Sequence, residues 1–409
     1  MWVILRLLIG IAVLVAAEFY FIKRINVAIK IFFPGFYQGK YRLIRKIFLI
    51  WMNLYPLVLF FIFTYFGITG SYLTAPESSI FNYILIYPFW ISFILMIQCF
   101  LFFIPMDLIK FLTSLFIKEG KEKLVRVHSA LVFVIAGFFI LYIPIRVIYD
   151  YNTVDVREIE YETKNLPASL ENFRIGFISD IQADHYTDKP RLEKFISTVN
   201  SLNPDLVLIA GDLITTGPDY IILSGQEVGK IKSKYGVYSC VGDHDNWAYR
   251  DNYAKSVEEV ESSLYANNVL MVDNGIKLIK VDSAEINVTF ITNTYVQTVP
   301  TYILDSLVSN SNGDFKIFLA HQPRQFLIDA AKKYDYNLYL AGHTHGGQIT
   351  FIFPFIQLTP TMFETKYTKG DFWFGNMLMV VTRGLGMSLA PIRYNSTPEV
   401  TLIVLKKKL

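Results

Sequence analysis

The pattern of apolar and polar positions divides the chain near residue 150. Before that point apolar residues run in long stretches with no polar face. Residues 2–22, 47–69, 81–105 and 129–148 each approach the ~20 residues a helix needs to cross a bilayer. A segment such as Leu57-Val58-Leu59-Phe60-Phe61-Ile62-Phe63 is apolar all round, unlike the one-sided stripe of a soluble helix. The pattern predicts four transmembrane helices in residues 1–150. The first carries Arg6 and Glu18 near its ends, where long side chains reach the interface. Its other reading is a cleaved signal peptide, but no small-residue cleavage site follows it and more apolar spans do.

After Tyr151 short apolar runs alternate with amphipathic stretches. Arg174–Asp180, Asp205–Asp212, Val237–Asp243, Lys316–His321 and Leu338–His343 read as buried strands, each ending in a polar cluster. Pro190–Ser201 and Asp251–Ala266 fit helices between them, and Asn376–Thr382 and Glu399–Lys406 the last strands. This is α/β patterning over residues 151–409, and ligands of such sheets bind at the carboxyl ends of the strands.

Composition agrees with a membrane protein: 53% of residues are hydrophobic and 18% charged. A net charge of +3 is too small to suggest a nucleic-acid partner. Cys99 and Cys240 supply neither a disulfide framework nor zinc spacing. The charges are unevenly spread. Loop one holds Lys23, Arg24, Lys30, Lys40, Arg42, Arg45 and Lys46; loop three holds Lys110, Lys118, Lys121, Lys123 and Arg126; loop two, Gly70–Ile80, holds no Lys or Arg. Basic loops stay in the cytoplasm, so the C-terminal domain is expected outside it. The stretch Asp107–Lys118 reads either as a helix lying on the inner surface or as an extension of the third span. The spans contain few polar residues, which argues against a transporter.

Five polar clusters sit at the strand ends: Ser179-Asp180-Ile181-Gln182, Gly211-Asp212, Gly242-Asp243-His244-Asp245, Ala320-His321-Gln322-Pro323 and Gly342-His343-Thr344-His345-Gly346-Gly347. Together they hold four carboxylates and four of the chain's six histidines. Carboxylate and imidazole donors without thiolates suit manganese, iron, zinc or magnesium. Two divalent ions about 3.5–4 Å apart can clamp phosphoryl oxygens, acidify a water and stabilise a leaving oxygen.

This ordered set resembles the calcineurin-like metallophosphoesterase superfamily, and Gly342–Ile349 (GHTHGGQI) carries the likeness most specifically. The turn Arg383-Gly384-Leu385-Gly386, then Pro391-Ile392-Arg393 and Pro398-Glu399, look like the membrane-associated bacterial branch. The resemblance implies a β-sandwich flanked by helices, anchored in a bacterial inner or cell membrane. It implies that Asp180 and His345 bind one metal, His321 and His343 a second, and that Asp212 bridges them. His244 would be the acid near the leaving group, with Asp245 orienting it through its ring N–H. Gln182 stands where the family usually has a histidine, and Asp243 where it has asparagine. An Asp-x-Gln variant resembles the manganese-dependent nucleotide-diphosphate-type hydrolases. Both changes add Gln182 and Asp243 to the expected metal residues and favour manganese or magnesium over zinc.

The implied activity is metal-dependent hydrolysis of a phosphate or diphosphate ester, on a lipid-linked or envelope substrate because the anchor holds the site near a bilayer. Alternatives are a UDP-diacylglucosamine diphosphatase of lipid A synthesis and a non-catalytic metal-binding sensor or scaffold. Ile349–Leu358 is almost wholly apolar and reads either as a segment that meets lipid or as part of the domain core. Arg383 and Arg393 read equally as phosphate contacts or as structural ion pairs. His185 reads as a loop histidine or a substitute ligand, and His128 as an interface residue.

Overall fold

A computed structural model describes residues 2–70, 78–117 and 119–408, with side chains from residue 8 onward. The expected loop two lies largely outside the described residues, as do Lys118 and the side chain of Arg6. The chain forms two compact units: residues 1–148 with 351–357, and residues 149–350 with 358–409.

The first unit is helical. It contains α1 (Trp2–Phe32), α2 (Pro34–Gln38), α3 (Tyr41–Thr69), α4 (Ser79–Phe81), a π turn at Asn82–Ile86, α5 (Tyr87–Phe116) and α6 (Lys121–Asn152). Three runs among the described residues are long and apolar enough to cross a membrane: Tyr41–Thr69, Ser79–Phe116 and Lys121–Asn152. Helix α1 is equally long but carries Glu18, Lys23 and Arg24 within its described part. The sequence places Glu18 at an interface; instead it is buried and accepts two bonds from the Asn53 amide, at 3.0 and 2.9 Å. Asp107–Lys118 shows the same force. Helix α5 continues through Phe116, so the extension reading holds and the surface-lying one does not. Asp107 faces inward, 2.6 Å from Arg24 and 2.9 Å from Nε2 of His128, and accepts the Tyr20 hydroxyl. His128 is accordingly buried rather than at an interface. Charge inside an apolar bundle is tolerated where it is paired.

The second unit carries the expected α/β pattern as two six-stranded sheets. Its strands are β1 (Asp155–Thr163), β2 (Arg174–Ile178), β3 (Leu206–Ile209), β4 (Val237–Cys240), β5 (Val269–Val272), β6 (Gly275–Val281), β7 (Ala284–Ile291), β8 (Phe315–Ala320) and β9 (Leu338–Ala341). A hairpin, β10 (Phe351–Phe353) and β11 (Ile356–Leu358), precedes β12 (Gly370–Phe374), β13 (Met377–Val381) and β14 (Glu399–Lys407). One sheet runs β1-β14-β2-β3-β4-β5 and the other β12-β13-β9-β8-β7-β6. Parallel strands need both faces covered, which explains the unbroken, fully buried runs of β3 (LVLI) and β9 (LYLA). One face of each sheet meets the other in a common core, with Phe177, Leu208 and Cys240 on one side and Phe290, Leu319 and Leu340 on the other. Each such side chain, fully buried, contributes about 1.5–3 kcal/mol.

The outer faces are covered by helices. Helices α7 (Lys189–Ser201), α8 (Ile221–Val228) and α9 (Tyr253–Tyr265) share a core with Val207 and Ile209 of the first sheet. Helices α10 (Thr301–Ser309) and α11 (Gln325–Lys333) share one with Phe318 and Met379 of the second. Asp188 starts α7 by accepting the N–H of Arg191, an N-cap before a proline-initiated turn.

One segment departs from the expected division at residue 150. The hairpin belongs to the helical unit: the Gln98 amide of α5 donates to the Ile352 carbonyl at 2.6 Å and accepts its N–H at 3.0 Å, and the Phe102 ring lies 5.5 Å from Phe353. Neither core reading nor free lipid reading of Ile349–Leu358 describes it fully, because a polar residue inside an apolar helix pairs with the hairpin backbone.

Candidate metal centre

Each expected residue follows a buried strand by one to five positions. The strands fix these tips side by side: the Asp180 N–H donates to the Gly211 carbonyl (3.0 Å) and that of Gln182 to the Asp212 carbonyl (2.9 Å). Asp180, Gln182, Asp212, His343 and His345 all have left-handed backbone, with φ of 53°, 47°, 59°, 71° and 50°. Non-glycine residues rarely adopt it, and it gathers at functional sites. It turns the chain sharply off the strand. The approach is tight: a Cβ at Gly342 would stand 1.9 Å from Ser179 Oγ and 2.4 Å from Asp180 Oδ2.

Three carboxylates converge here, and Asp180, Asp212 and Asp243 are all essentially buried. Asp180 accepts the N–H of His343 at 3.0 Å. Asp212 accepts the N–H of His244 (2.8 Å) and the Gln182 amide (3.1 Å). Asp243 accepts the Tyr295 N–H (2.6 Å) and the Gln322 amide (2.8 and 2.9 Å). Ligand atoms of Asp243, His321 and His343 lie within 4.8 Å of one another, as do those of Asp180, Asp212 and His321. These two groups share His321.

The histidines are aimed by their outer nitrogens. His321 Nδ1–H donates to the Ala210 carbonyl at 2.6 Å. That leaves Nε2 inward, 3.3 Å from an oxygen of Asp212 and of Asp243 without a hydrogen-bond geometry to either. His343 points Nδ1 at Asp243 (2.8 Å) and Nε2 at Glu364 (3.1 Å). His345 Nε2 lies 3.4 Å from Asp180, and its Nδ1 is 3.3 Å from the Arg393 guanidinium. The Gln182 carbonyl oxygen is buried with no hydrogen-bond partner.

The electrostatics are those of an acidic cluster in need of positive charge. Burial pushes the Asp212 carboxyl up, but the His321 and His244 imidazoles outweigh it and hold it at about 2. Burial disfavours charged His343, yet its bonds to Asp243 and Glu364 raise it to about 9. His321 is also raised, against burial, by Asp212 and Asp243. Without a metal, protons on these imidazoles neutralise the acids. Burial and then Arg393 keep His345 neutral, the form in which imidazole ligates. Unpartnered buried donors beside three buried carboxylates fit divalent cations.

Two expected roles need correction. Asp245 does not orient the His244 ring. Its carboxylate accepts the N–H groups of Asp212 (3.0 Å), Leu213 (2.7 Å) and Gly242 (2.8 Å), and so clamps two strand tips together. The His244 ring is anchored by Nδ1–H donation to the Thr215 carbonyl (2.5 Å) and stands 4.5 Å from the Trp247 ring, with Nε2 3.2 Å from Ser388 Oγ. Backbone amides of a tight turn reach a buried carboxylate before a ring further out can. The arginines are structural. Arg393 is buried and donates to the Gly386, Arg383 and Ser396 carbonyls, while Arg383 pairs with Glu399 and Asp155. His185 lies beside Tyr186 and belongs to neither ligand group.

Sequence reasoning missed Glu364. It accepts the Tyr295 hydroxyl and Arg324 guanidinium, both at 2.6 Å, and faces His343. These bonds, the His343 one foremost, hold its carboxyl at about 2 against burial. It follows no strand, so no pattern in the sequence marks it.

The family model for calcineurin-like phosphoesterases matches residues 173–347, the stretch holding every one of these strand tips. An uncharacterised metallophosphoesterase of Bacillus subtilis, YkuE, is 30% identical over 261 residues, 62% of this chain and 86% of the relative. An uncharacterised metallophosphoesterase of Campylobacter jejuni is 27% identical over 317 residues, 75% of this chain and 79% of the relative. A transmembrane protein with metallophosphoesterase domain from Danio rerio is 28% identical over 260 residues, 62% of this chain and 57% of the relative. The chain belongs to the calcineurin-like phosphoesterase family, and it is a metal-dependent phosphoester hydrolase by that membership.

Proposed function

We propose that this protein hydrolyses a phosphate or diphosphate ester of a lipid-linked or envelope substrate, using two divalent metal ions, with manganese favoured. The observation that carries the reading is the convergence of Asp180, Asp212 and Asp243 on inward-facing imidazoles whose outer nitrogens are already committed. Asp180, His345 and the Gln182 carbonyl would hold one ion. His321, His343 and Asp243 would hold the other, with Asp212 between them. Divalent ions there supply neutralisation of the phosphoryl oxygens and acidification of a water. His244 acts on the leaving oxygen. Its Nδ1–H is tied to Thr215, so Nε2 is the atom that carries a proton outward. Asp245 is a positioning residue that fixes the tips bearing Asp212 and Asp243.

Membrane-length helices in the same chain support a substrate at a bilayer. Basic loops one and three support an extracytoplasmic catalytic unit in a bacterial inner or cell membrane. That sidedness does not depend on whether α1 is a fourth span, since loop three is separated from the catalytic unit by α6 alone.

A metal-dependent screen of the purified full chain tests the reading: nitrophenyl phosphate, a phosphodiester and UDP-diacylglucosamine, each after chelation and manganese, magnesium or zinc addition. Turnover restored by metal is expected. Tight metal binding with no turnover on any ester would overturn the reading in favour of a non-catalytic metal-binding sensor. For sidedness, a cysteine at Asn152 should react with an impermeant maleimide in intact cells, and one at Gln38 should not.

A further inference from the structure

Three large apolar side chains stand almost wholly in solvent: Phe355 (107% exposed), Phe363 (98%) and Leu389 (97%). Phe355 and Leu389 also have left-handed backbone, with φ of 66° and 61°. Bulky L residues avoid that region, and glycine or asparagine normally fills such turns. The fold gains no packing from these side chains, yet holds two of them out on turns that resist them. Singly exposed apolar residues are ordinary on a protein surface, but a backbone that resists the side chain sets Phe355 and Leu389 apart from them.

Their positions are not scattered. Leu389 follows Ser388, whose Oγ lies 3.2 Å from Nε2 of His244. Phe363 precedes Glu364, which faces Nε2 of His343 at 3.1 Å. The two catalytic-unit tips therefore sit on loops that touch the site's histidines. Phe355 is the tip of the hairpin pinned to α5 by Gln98. That hairpin starts six residues after His345 and ends five residues before Phe363.

The shape of the tips selects among occupants. A stable protein interface needs about 800 Å² of packed surface on each side. Isolated protruding side chains do not provide that. Fluid lipid needs no complementary shape and accepts Phe and Leu at the acyl boundary. We propose that Phe363 and Leu389 are interfacial anchors of the catalytic unit, entering the bilayer surface and turning the strand-tip site toward lipid headgroups. The ester taken is then one carried on a membrane lipid. Only this last step rests on the hydrolase reading above; the lipid contact stands apart from it.

The test uses the full chain in phosphatidylcholine nanodiscs. Phe363→Cys and Leu389→Cys are each labelled with a nitrobenzoxadiazole reporter, and Tyr265→Cys, 74% exposed on α9, serves as control. Native Cys99 and Cys240 are buried and do not compete. With a doxyl group high on the acyl chain, emission at 363 and 389 should fall by roughly half or more, as expected for groups at the headgroup–acyl boundary, and the control should not change. Water-like, unquenched emission at both sites would overturn the proposal. So would a blue-shifted but unquenched signal, which would mean that protein covers the tips. Quenching requires no turnover, so a protein inactive on every ester would still give the answer about lipid.

Discussion

Two charge clusters in the catalytic unit are built on opposite plans. Along β1 and β14, Glu399 is held by Arg157 (3.1 Å) and Arg383 (2.8 Å), Arg383 also holds Asp155 (2.9 Å), and Arg157 pairs with Asp371. There each carboxylate meets a permanent cation supplied by the chain. At the strand tips the bonds to Asp180, Asp212 and Asp243 come from amides and imidazoles. Imidazoles are cations only while they keep a proton. In the first cluster every carboxylate already has a guanidinium partner, which serves stability; the second leaves its balance to an ion from outside. The difference explains why Arg383, an attractive phosphate ligand by type, serves structure instead.

Charge removal should therefore act differently in the two places. Asp212→Asn should cost more than the roughly 1000-fold lost with a single electrostatic stabiliser, because two cations would face each other without a bridging charge. Metal analysis should show one or both ions missing. Full turnover would sink the assignment.

His244→Asn should keep its metal yet lose about 100-fold to 10,000-fold in rate, the usual contribution of a positioned acid. The loss should be smaller with nitrophenol as leaving group, which needs no proton. Equal losses on both kinds of ester would give His244 another role.

Glu399→Gln reverses the pattern. It should destabilise by about 3 kcal/mol, since two arginines lose a buried partner, lowering Tm by roughly 6–12 °C for a domain of this size. Metal content per folded molecule should not move. A variant that loses metal at unchanged Tm would erase the distinction between the clusters.

Protons and metal compete in the open cluster. With His343 at about 9 in the metal-free protein, above the ordinary imidazole range, the ring is charged at neutral pH and an incoming ion must displace its proton. Affinity should tighten as pH rises from about 6.5 towards 9, by up to about tenfold per unit for each proton displaced. Titration calorimetry in buffers of different ionisation enthalpy reads this directly. A flat profile would argue against His343 as a ligand. The mildest change is in preference: Gln182→His with Asp243→Asn should shift activity from manganese towards softer ions, and an unaltered metal profile would show that neither position tunes the site.

The sequence alone carried strands β2, β3, β4, β8, β9, β13 and β14, with the polar tips of the first five and the residues that meet there, because burial on both faces writes apolar runs into a parallel sheet and puts chemistry where each run stops. It also carried membrane-length helices through uninterrupted apolar length, four by pattern, of which three are long and apolar enough to cross a membrane among the described residues. Strands β5, β6, β7 and β12 went unread, and so did edge strand β1, whose exposed face alternates glutamates with partly buried positions. What folding decided were partnerships. The Asp245 carboxylate found three amides rather than the His244 ring, Thr215 took that ring instead, Glu364 came to His343 from a loop, and Gln98 captured a hairpin 254 positions away. Periodicity is a local property that a linear string can hold. Which polar group reaches which partner depends on chain segments crossing in space, and neighbouring residues do not encode it.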